Sequence, residues 1–283
     1  MNRALAALLA GAACIALSPI FVRLSEAGPT ATAFWRVALA VPVLWFFYSA
    51  KTKHRTGHAG TPLLLVAAGL AFAGDLAFWH TSIQLTSVAN STLLANLASI
   101  FVTLAAWIFL RQKPTALFLA GLAAALAGVA MLVKTSLAFS ATGLVGDALG
   151  VVTALFYAWY ILVVKALRDR GATALHLMAA TSTITAVILL PVALASGEQM
   201  LPHSAYGWAI LAGLALVSHA LGQGLIAYAL AHLPATFSSV GLLLQPVIAA
   251  FFAWTLLAEP LVPLQILGGI VVLAGIYLAR RGS

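Results

Sequence analysis

Long apolar runs, separated by short polar connections, dominate the sequence. A run of about 20 apolar residues predicts a transmembrane helix, because about 20 residues at a rise of about 1.5 Å each cross about 30 Å of hydrocarbon. Ten such runs fit the chain, and no connection between them is long enough for a soluble domain. We therefore predict an all-α membrane protein with ten transmembrane helices, at residues 4–23, 29–49, 62–84, 87–110, 114–133, 144–166, 173–195, 206–230, 235–257 and 261–280.

The second half of the chain partly repeats the first. A shift of 147 residues aligns residues 109–133 with 256–280, and residues 86–101 with 233–248. Each half has five spans, an odd number, so the second half enters the membrane from the opposite side. We therefore predict two inverted five-helix repeats, over the ranges 1–135 and 136–283.

Inverted repeats favour a transporter. They are typical of carriers that work by alternating access, with the substrate site near mid-membrane between the halves. A channel or a membrane enzyme can also arise by duplication, so the repeat alone does not decide the function.

Small residues form a face of the fifth and tenth spans. The 147-residue shift pairs Gly121 with Gly268 and Gly128 with Gly275. Small faces let helices approach closely. The seam lies either within one chain or between two chains of a dimer, and the sequence leaves both open.

Composition agrees with a membrane protein. The chain of 283 residues is 63% hydrophobic and only 7% charged, whereas a soluble domain carries about 25% charged residues. The first run resembles a signal peptide, with Arg3 before an apolar stretch. That run continues past Cys14 to Phe21 and nine further spans follow, so we predict a retained first span.

The net charge of +8 is an orientation signal. With a cytoplasmic N-terminus, eleven basic residues fall on the cytoplasmic side and only Arg23 and Lys134 on the other, which is a strong positive-inside bias. The eleven are Arg3, Lys51, Lys53, Arg55, Arg111, Lys113, Lys165, Arg168, Arg170, Arg280 and Arg281. We expect a bacterial inner-membrane protein with both termini in the cytoplasm, the lipid bilayer as partner, and no nucleic-acid partner.

Residues 78–101 gather hydrogen-bonding side chains inside this apolar chain. Unsatisfied polar groups in hydrocarbon cost several kcal/mol, so they face either a partner helix or a water-filled cavity. Single Ser and Thr side chains are more often links between helices. Here the larger groups cluster, so we predict a wall of the substrate path, built from Trp79, His80, Ser82, Gln84 and Asn90.

The second half offers matching polar groups. His219 and Gln223 lie four residues apart, which predicts one face of the eighth helix. Pro246 follows Gln245 in the ninth span and removes a backbone donor, as Pro19 does in the first span. Helices broken at mid-depth often form transporter sites, although a packing kink is the commoner reason for such a proline. We predict His219, Gln223 and Gln245 as substrate-binding residues.

Tyr157 and Tyr160 share a face of the sixth span. Aromatic rings at this depth either stack on an apolar substrate side chain or pack in the core. We include both tyrosines among the substrate-binding candidates.

Charged residues within spans are the sharpest functional signals. Arg36 in the second span either snorkels toward the surface or attracts a carboxylate. Asp75 lies near the middle of the third span, where it pairs with Arg36 or a histidine or carries a proton. We predict these two residues as a proton or carboxylate site, and we expect no metal.

The paired five-plus-five plan, the segment GPTATAFWR at 28–36 and the small-residue fifth and tenth spans together resemble the EamA-type transporters of the drug/metabolite transporter superfamily. The resemblance implies export of small metabolites across the inner membrane, and within the family it points to YddG-like exporters of aromatic and other neutral amino acids. Four-span multidrug pumps of the same superfamily depend on a glutamate in their first span. Residues 4–23 contain no acid, which disfavours tight proton antiport of cations.

We therefore expect an exporter of neutral or aromatic amino acids that is facilitative or weakly proton-coupled. The alternative is proton-coupled efflux of drug-like cations or of another small metabolite such as a purine. Catalytic motifs such as H-E-x-x-H and G-x-S-x-G are absent from the sequence. We expect no enzyme activity, no cofactor and no obligatory protein partner.

Overall fold

The protein, seen in a computed structural model, is an all-helical bundle over the residues that the structure describes. These are 2–51, 62–86, 88–132, 141–257 and 261–283. Nine of the described helical segments are long and apolar enough to cross a membrane, and the shorter apolar helix Ala116–Leu132 stands in the fifth place. The predicted fold class is confirmed. The predicted repeat boundary between residues 135 and 136 lies outside the described residues.

The first five spans contain eight helices, because the first, second and fourth spans are each interrupted. The helices are Asn2–Ala16, Ser18–Leu24, Pro29–Ala38, Ala40–Lys51, Pro62–Leu85, Val88–Ala95, Ala98–Leu110 and Ala116–Leu132.

The last five spans include two further irregularities, a π-helical segment in the eighth span and a break in the ninth. The elements are Ala141–Asp169, Ala174–Ala195, Ala205–Gly213, the π-helix Leu214–Gln223, Gly224–Ala229, Ala235–Gly241, Leu244–Leu257 and Pro263–Gly282.

Helix packing follows the repeat. The first span packs against the eighth and ninth, and its counterpart in the other half, the sixth span, packs against the third and fourth. The second span packs against the seventh, the fourth against the ninth, and the fifth against the tenth, so each of these pairs joins equivalent helices. The two halves are therefore interleaved around one approximate two-fold axis.

The small-residue faces of the fifth and tenth spans meet within the chain. A Cβ atom added at Gly121 would lie 2.6 Å from the Gly275 carbonyl oxygen, and one added at Gly128 would lie 2.6 Å from that of Gly268. Because the repeat maps Gly121 onto Gly268 and Gly128 onto Gly275, the two contacts are copies of each other. These four glycines thus form an intrachain seam, which decides between the two alternatives that the sequence left open.

Two glutamates, which we call the glutamate latch, tie the halves together at one end of the bundle. Glu26, between the first and second spans, accepts hydrogen bonds from the backbone N–H groups of His203 (2.8 Å) and Ser204 (3.0 Å) and from the Ser204 hydroxyl (2.6 Å). Glu198, between the seventh and eighth spans, accepts from the backbone N–H of Thr30 at 2.7 Å and from its hydroxyl at 3.1 Å. Glu198 therefore caps the first turn of the helix Pro29–Ala38. Glu26 bonds to the two residues that precede the helix Ala205–Gly213, including its N-cap residue Ser204.

The latch predicts a pH-dependent stability. The Ser204 hydroxyl, with two backbone N–H groups, holds the pKa of Glu26 below its ordinary value. This stabilisation is fully present above the ordinary glutamate pKa of about 4.3 and is lost as pH falls through the lower pKa of the folded state. We expect Glu26→Gln to lower Tm at neutral pH and to shrink the fall in Tm between about pH 5 and pH 3. Thermal unfolding in nanodiscs across this range measures both effects.

The matched control is Asp169→Asn. Asp169 forms an i,i+4 pair with Lys165 at the exposed end of the sixth span, and exposed pairs contribute about 0–1 kcal/mol. We expect this variant to keep the wild-type acid profile. An unchanged acid profile in Glu26→Gln would contradict the assignment of this stability to the latch.

Candidate functional site

The site is built where helices break at mid-depth. In the ninth span, Pro246 lacks the N–H that would bond to the Leu242 carbonyl, and the N–H of Gln245 takes its place at 2.9 Å. In the first span, Pro19 likewise cannot donate to the Ile15 carbonyl, and the helix is interrupted at Leu17. Irregular backbone is tolerated in a membrane only inside protein or beside a water-filled cavity.

The fourth span breaks without a proline. The helix is interrupted at Asn96 and Leu97. The Asn96 side-chain amide donates to the Thr92 carbonyl at 2.9 Å, and the Ser99 hydroxyl donates to the Asn96 carbonyl at 3.0 Å. The Thr92 carbonyl also keeps its helical bond from the Asn96 N–H, at 3.1 Å. The Asn96 carbonyl loses its usual donor, because the Ile100 N–H bonds to Leu97, and it accepts instead from the N–H and the hydroxyl of Ser99.

These three breaks surround a cavity of about 130 Å³. A void of about 150 Å³ holds one benzene molecule, so the space suits a small organic group. Its polar and aromatic lining is Ser18, Arg36, Asp75, Trp79, Thr92, Asn96, Ser99, Thr153, Tyr157, Gln223, Ser239 and Gln245.

The cavity lies on the approximate two-fold axis. Every cavity residue of the fourth span has its 147-residue counterpart in the lining as well. The pairs are Thr92 with Ser239, Ala95 with Leu242, Asn96 with Leu243, Ala98 with Gln245 and Ser99 with Pro246. The two halves therefore contribute equivalent backbone positions but different side chains.

Arg36 and Asp75 are the charged residues of the described lining. Arg36 is buried, only 4% exposed, and its Nε atom has no hydrogen-bond partner within the described residues. Its guanidinium carbon lies 5.9 Å from the centre of the Phe72 ring, within cation–π range. Over the part of the chain that the structure describes, Arg36 and Asp75 form no direct ion pair.

Amides and aromatic rings complete the lining. Gln223 is buried, and its Oε1 atom is without a hydrogen-bond partner among the described residues. Gln245 lines the cavity together with the rings of Tyr157 and Trp79. The cavity thus combines apolar and aromatic walls with amides and one charge of each sign.

A model of the EamA-like transporter family matches both halves of the chain, at residues 2–134 and 144–281. The chain belongs to the EamA-like transporter family. It is therefore a multi-pass membrane transporter of small molecules, and the predicted family is confirmed.

Two further proteins resemble this EamA-like transporter. An uncharacterized transporter of Archaeoglobus fulgidus is 30% identical over 268 residues, which cover 92% of this chain and 91% of that protein. A protein of known crystal structure superimposes with a TM-score of 0.82 over 98% of this chain and 96% of its own. At 14% identity, this second likeness shows the fold alone.

The cavity of the EamA-like bundle brings together six of the twelve predicted site residues. The six are Arg36, Asp75, Trp79, Tyr157, Gln223 and Gln245. They come from five different spans, as expected for a site between helices. The side chain of Asn90 lies outside the described part of the chain, so its predicted role stays a prediction.

Three predicted residues of the third span point elsewhere. Ser82 donates to the Gly146 carbonyl at 2.7 Å and so links the third and sixth spans. Gln84 donates at 2.8 Å to Glu198 of the glutamate latch. His80 is fully buried beside the cavity, with Nδ1 3.3 Å from the Leu76 carbonyl and Nε2 unpaired among the described residues.

His219 and Tyr160 also lie behind the lining. His219 Nε2 bonds to the Ser182 hydroxyl at 2.8 Å, and the Tyr160 hydroxyl contacts the sulfur of Met178 at 3.9 Å. His219 and Gln223 lie in the same π-helical segment, residues 214–223. Of the two, Gln223 lines the cavity, whereas His219 bonds to the seventh span.

Several small polar residues of the lining are not among the predicted site residues; these are Ser18, Thr92, Asn96, Ser99, Thr153 and Ser239. The internal repeat is a signal that could have found two of them, since Thr92 and Ser239 are hydroxyl residues at equivalent positions.

In the described part of the chain, no three His, Cys, Asp or Glu side chains converge as a metal site would require.

The cavity predicts that cysteines placed in its lining react faster with a thiol reagent than a cysteine sealed between helices. Cys14 is the single cysteine of the sequence, so Cys14→Ser gives a clean background. We expect Thr92→Cys and Ser239→Cys to react with a small water-soluble thiosulfonate about tenfold faster than Ser82→Cys, since thiols sealed from water are inert. Mass spectrometry of the protein in liposomes measures the rates. Equal rates at all three positions would contradict a water-accessible cavity.

Proposed function

We propose that the protein exports neutral amino acids with aromatic or large apolar side chains, by alternating access between its inverted repeats. The single observation that carries this proposal is the composition of the cavity on the repeat axis. Its lining holds one positive side chain, Arg36, and one negative side chain, Asp75, so the two formal charges sum to zero. A buried site with one cation and one anion favours a solute without net charge, because an unbalanced charge in a low dielectric costs several kcal/mol.

The walls support an apolar or aromatic side chain. Trp79 and Tyr157 present large rings to the cavity, and aromatic pairs gain about 0.5–1.5 kcal/mol beyond their buried area. The unpartnered Oε1 atom of Gln223 offers an acceptor for an N–H group. This combination is more suited to an amino acid than to a highly polar solute.

The positions of the acidic side chains favour transport that is facilitative or weakly coupled to protons. Asp75 is the acidic side chain of the described lining, and the first span contains none. The alternative, proton-coupled efflux of drug-like cations, would use Asp75 as the proton carrier.

The proposal is tested by efflux of labelled phenylalanine from preloaded proteoliposomes, with and without a pH gradient. We expect Trp79→Leu to slow efflux about five- to tenfold, because it removes a ring from the substrate wall. The gradient should change the wild-type rate by less than about twofold, a difference worth under about 0.5 kcal/mol.

The matched control is Trp159→Leu, since Trp159 is an exposed tryptophan on the sixth span. It should stay within about twofold of the wild-type rate. No amino-acid flux, together with gradient-driven uptake of a cationic dye that Asp75→Asn abolishes, would replace the proposal by its alternative.

For orientation we propose an inner membrane of a bacterium, with both termini in the cytoplasm. The positive-inside count supports it, although Lys53, Arg55 and Lys134 lie outside the described residues. In the Cys14→Ser background, an impermeant maleimide added to intact spheroplasts should label Gln199→Cys at the latch end but not Gln112→Cys at the opposite end. Both side chains are exposed. The reverse pattern would overturn the orientation.

A further inference from the structure

Arg36 and Asp75 face one cavity without neutralising each other directly. A guanidinium and a carboxylate that are buried together normally gain by forming a bidentate pair. Here they form no direct ion pair within the described residues, although both line the same small space. The pair is therefore arranged as two separate charged groups.

Arg36 is held by a ring instead of by a carboxylate. Its guanidinium lies over Phe72, and Phe72 in turn packs against Tyr160 with a centroid distance of 4.8 Å and against His219 at 5.3 Å. The cation–π contact leaves the buried Nε–H without a hydrogen-bond partner among the described residues. Such a donor is suited to an oxygen anion that arrives in the cavity.

A zwitterion can serve both groups at once. Its carboxylate accepts charge-assisted hydrogen bonds of about 2.8 Å from a guanidinium, and its ammonium donates bonds of similar length to a carboxylate. A solute with only one charge satisfies one group and leaves the other buried and unpaired. A charged group that stays buried without a partner weakens binding strongly.

We propose that Arg36 and Asp75 form a two-point site in which Arg36 binds the α-carboxylate and Asp75 the α-ammonium of one amino acid. The inference rests on the proposed function, because it names what selects the substrate class in that same cavity. Gln223 Oε1, buried and unpartnered among the described residues, accepts a further ammonium N–H. The side chain then lies against Trp79 and Tyr157. The charge pair, rather than the aromatic wall, excludes amines, acids and uncharged aromatic solutes.

The first experiment needs no mutation. Binding of L-phenylalanine, 2-phenylethylamine and 3-phenylpropionate to the purified protein is measured by calorimetry, and their efflux from proteoliposomes is measured in parallel. The three solutes share a phenyl ring and differ in their charged groups. We expect phenylalanine to bind at least about tenfold more tightly than either analogue, since each analogue leaves one buried charge unmatched.

The second experiment removes one charge at a time and measures which of the three ligands then binds best. In Asp75→Asn the cavity keeps only the Arg36 charge, and 3-phenylpropionate should become the best ligand of the three. In Arg36→Gln the cavity keeps only the Asp75 charge, and 2-phenylethylamine should become the best ligand. Asp147→Asn is the matched control, because Asp147 accepts a hydrogen bond from Thr86 outside the cavity. It should keep the wild-type order of affinities.

The outcomes separate the two proposals. Phenylalanine efflux with equal affinity for all three ligands would overturn the two-point site and leave amino-acid export standing. Selective binding of phenylalanine without any efflux would support the two-point site and overturn the proposed export. If a variant does not fold, as judged by thermal unfolding, the wild-type panel alone decides, and equal affinities there overturn the site.

Discussion

Hydrocarbon offers no hydrogen-bond partners to a backbone, and this constraint shapes the whole bundle. Each N–H and C=O group must be paired within its own helix or by a neighbour. A break at mid-depth is therefore costly unless it borders protein or water. The Leu242 carbonyl has no donor four residues later, because Pro246 lacks an N–H, and it accepts instead from the N–H of Gln245. The Asn96 carbonyl accepts from the Ser99 hydroxyl. Both carbonyl groups and their new donors belong to residues that line the cavity. The irregular backbone therefore lies beside the open space that the breaks surround.

The internal repeat supplies symmetric backbone and asymmetric chemistry. The glycine seam between the fifth and tenth spans consists of two copies of one contact, and the cavity positions of the fourth and ninth spans match pair by pair. The side chains at those positions have diverged, however. Asn96 corresponds to Leu243, and Ala98 corresponds to Gln245. Both charges of the lining come from the first half. Symmetry thus places the cavity, whereas its two charges and its amide groups come from residues that break the symmetry.

The sequence predicted the spans well because the apolar runs are long and the connections short. It also located two of the breaks, since Pro19 and Pro246 remove donors that a helix needs. It could not locate the break at Asn96, because nothing in composition distinguishes a helical asparagine from one that bonds back to its own turn. Nor could it show that His219 bonds to Ser182 of the seventh span, behind the lining. A four-residue spacing places two side chains on one helix face, but it does not say which neighbouring span each of them meets.

The latch and the cavity belong to the same helices. Glu198 caps the helix Pro29–Ala38, and Arg36 lies near the other end of that helix. Glu26 bonds to Ser204, the N-cap residue of the helix Ala205–Gly213, which continues through the π-helical segment to Gln223. Each glutamate therefore holds the start of an element whose far end presents a polar group to the cavity. Because each glutamate comes from the opposite half, the contacts that join the halves at this end also anchor the two elements that carry Arg36 and Gln223.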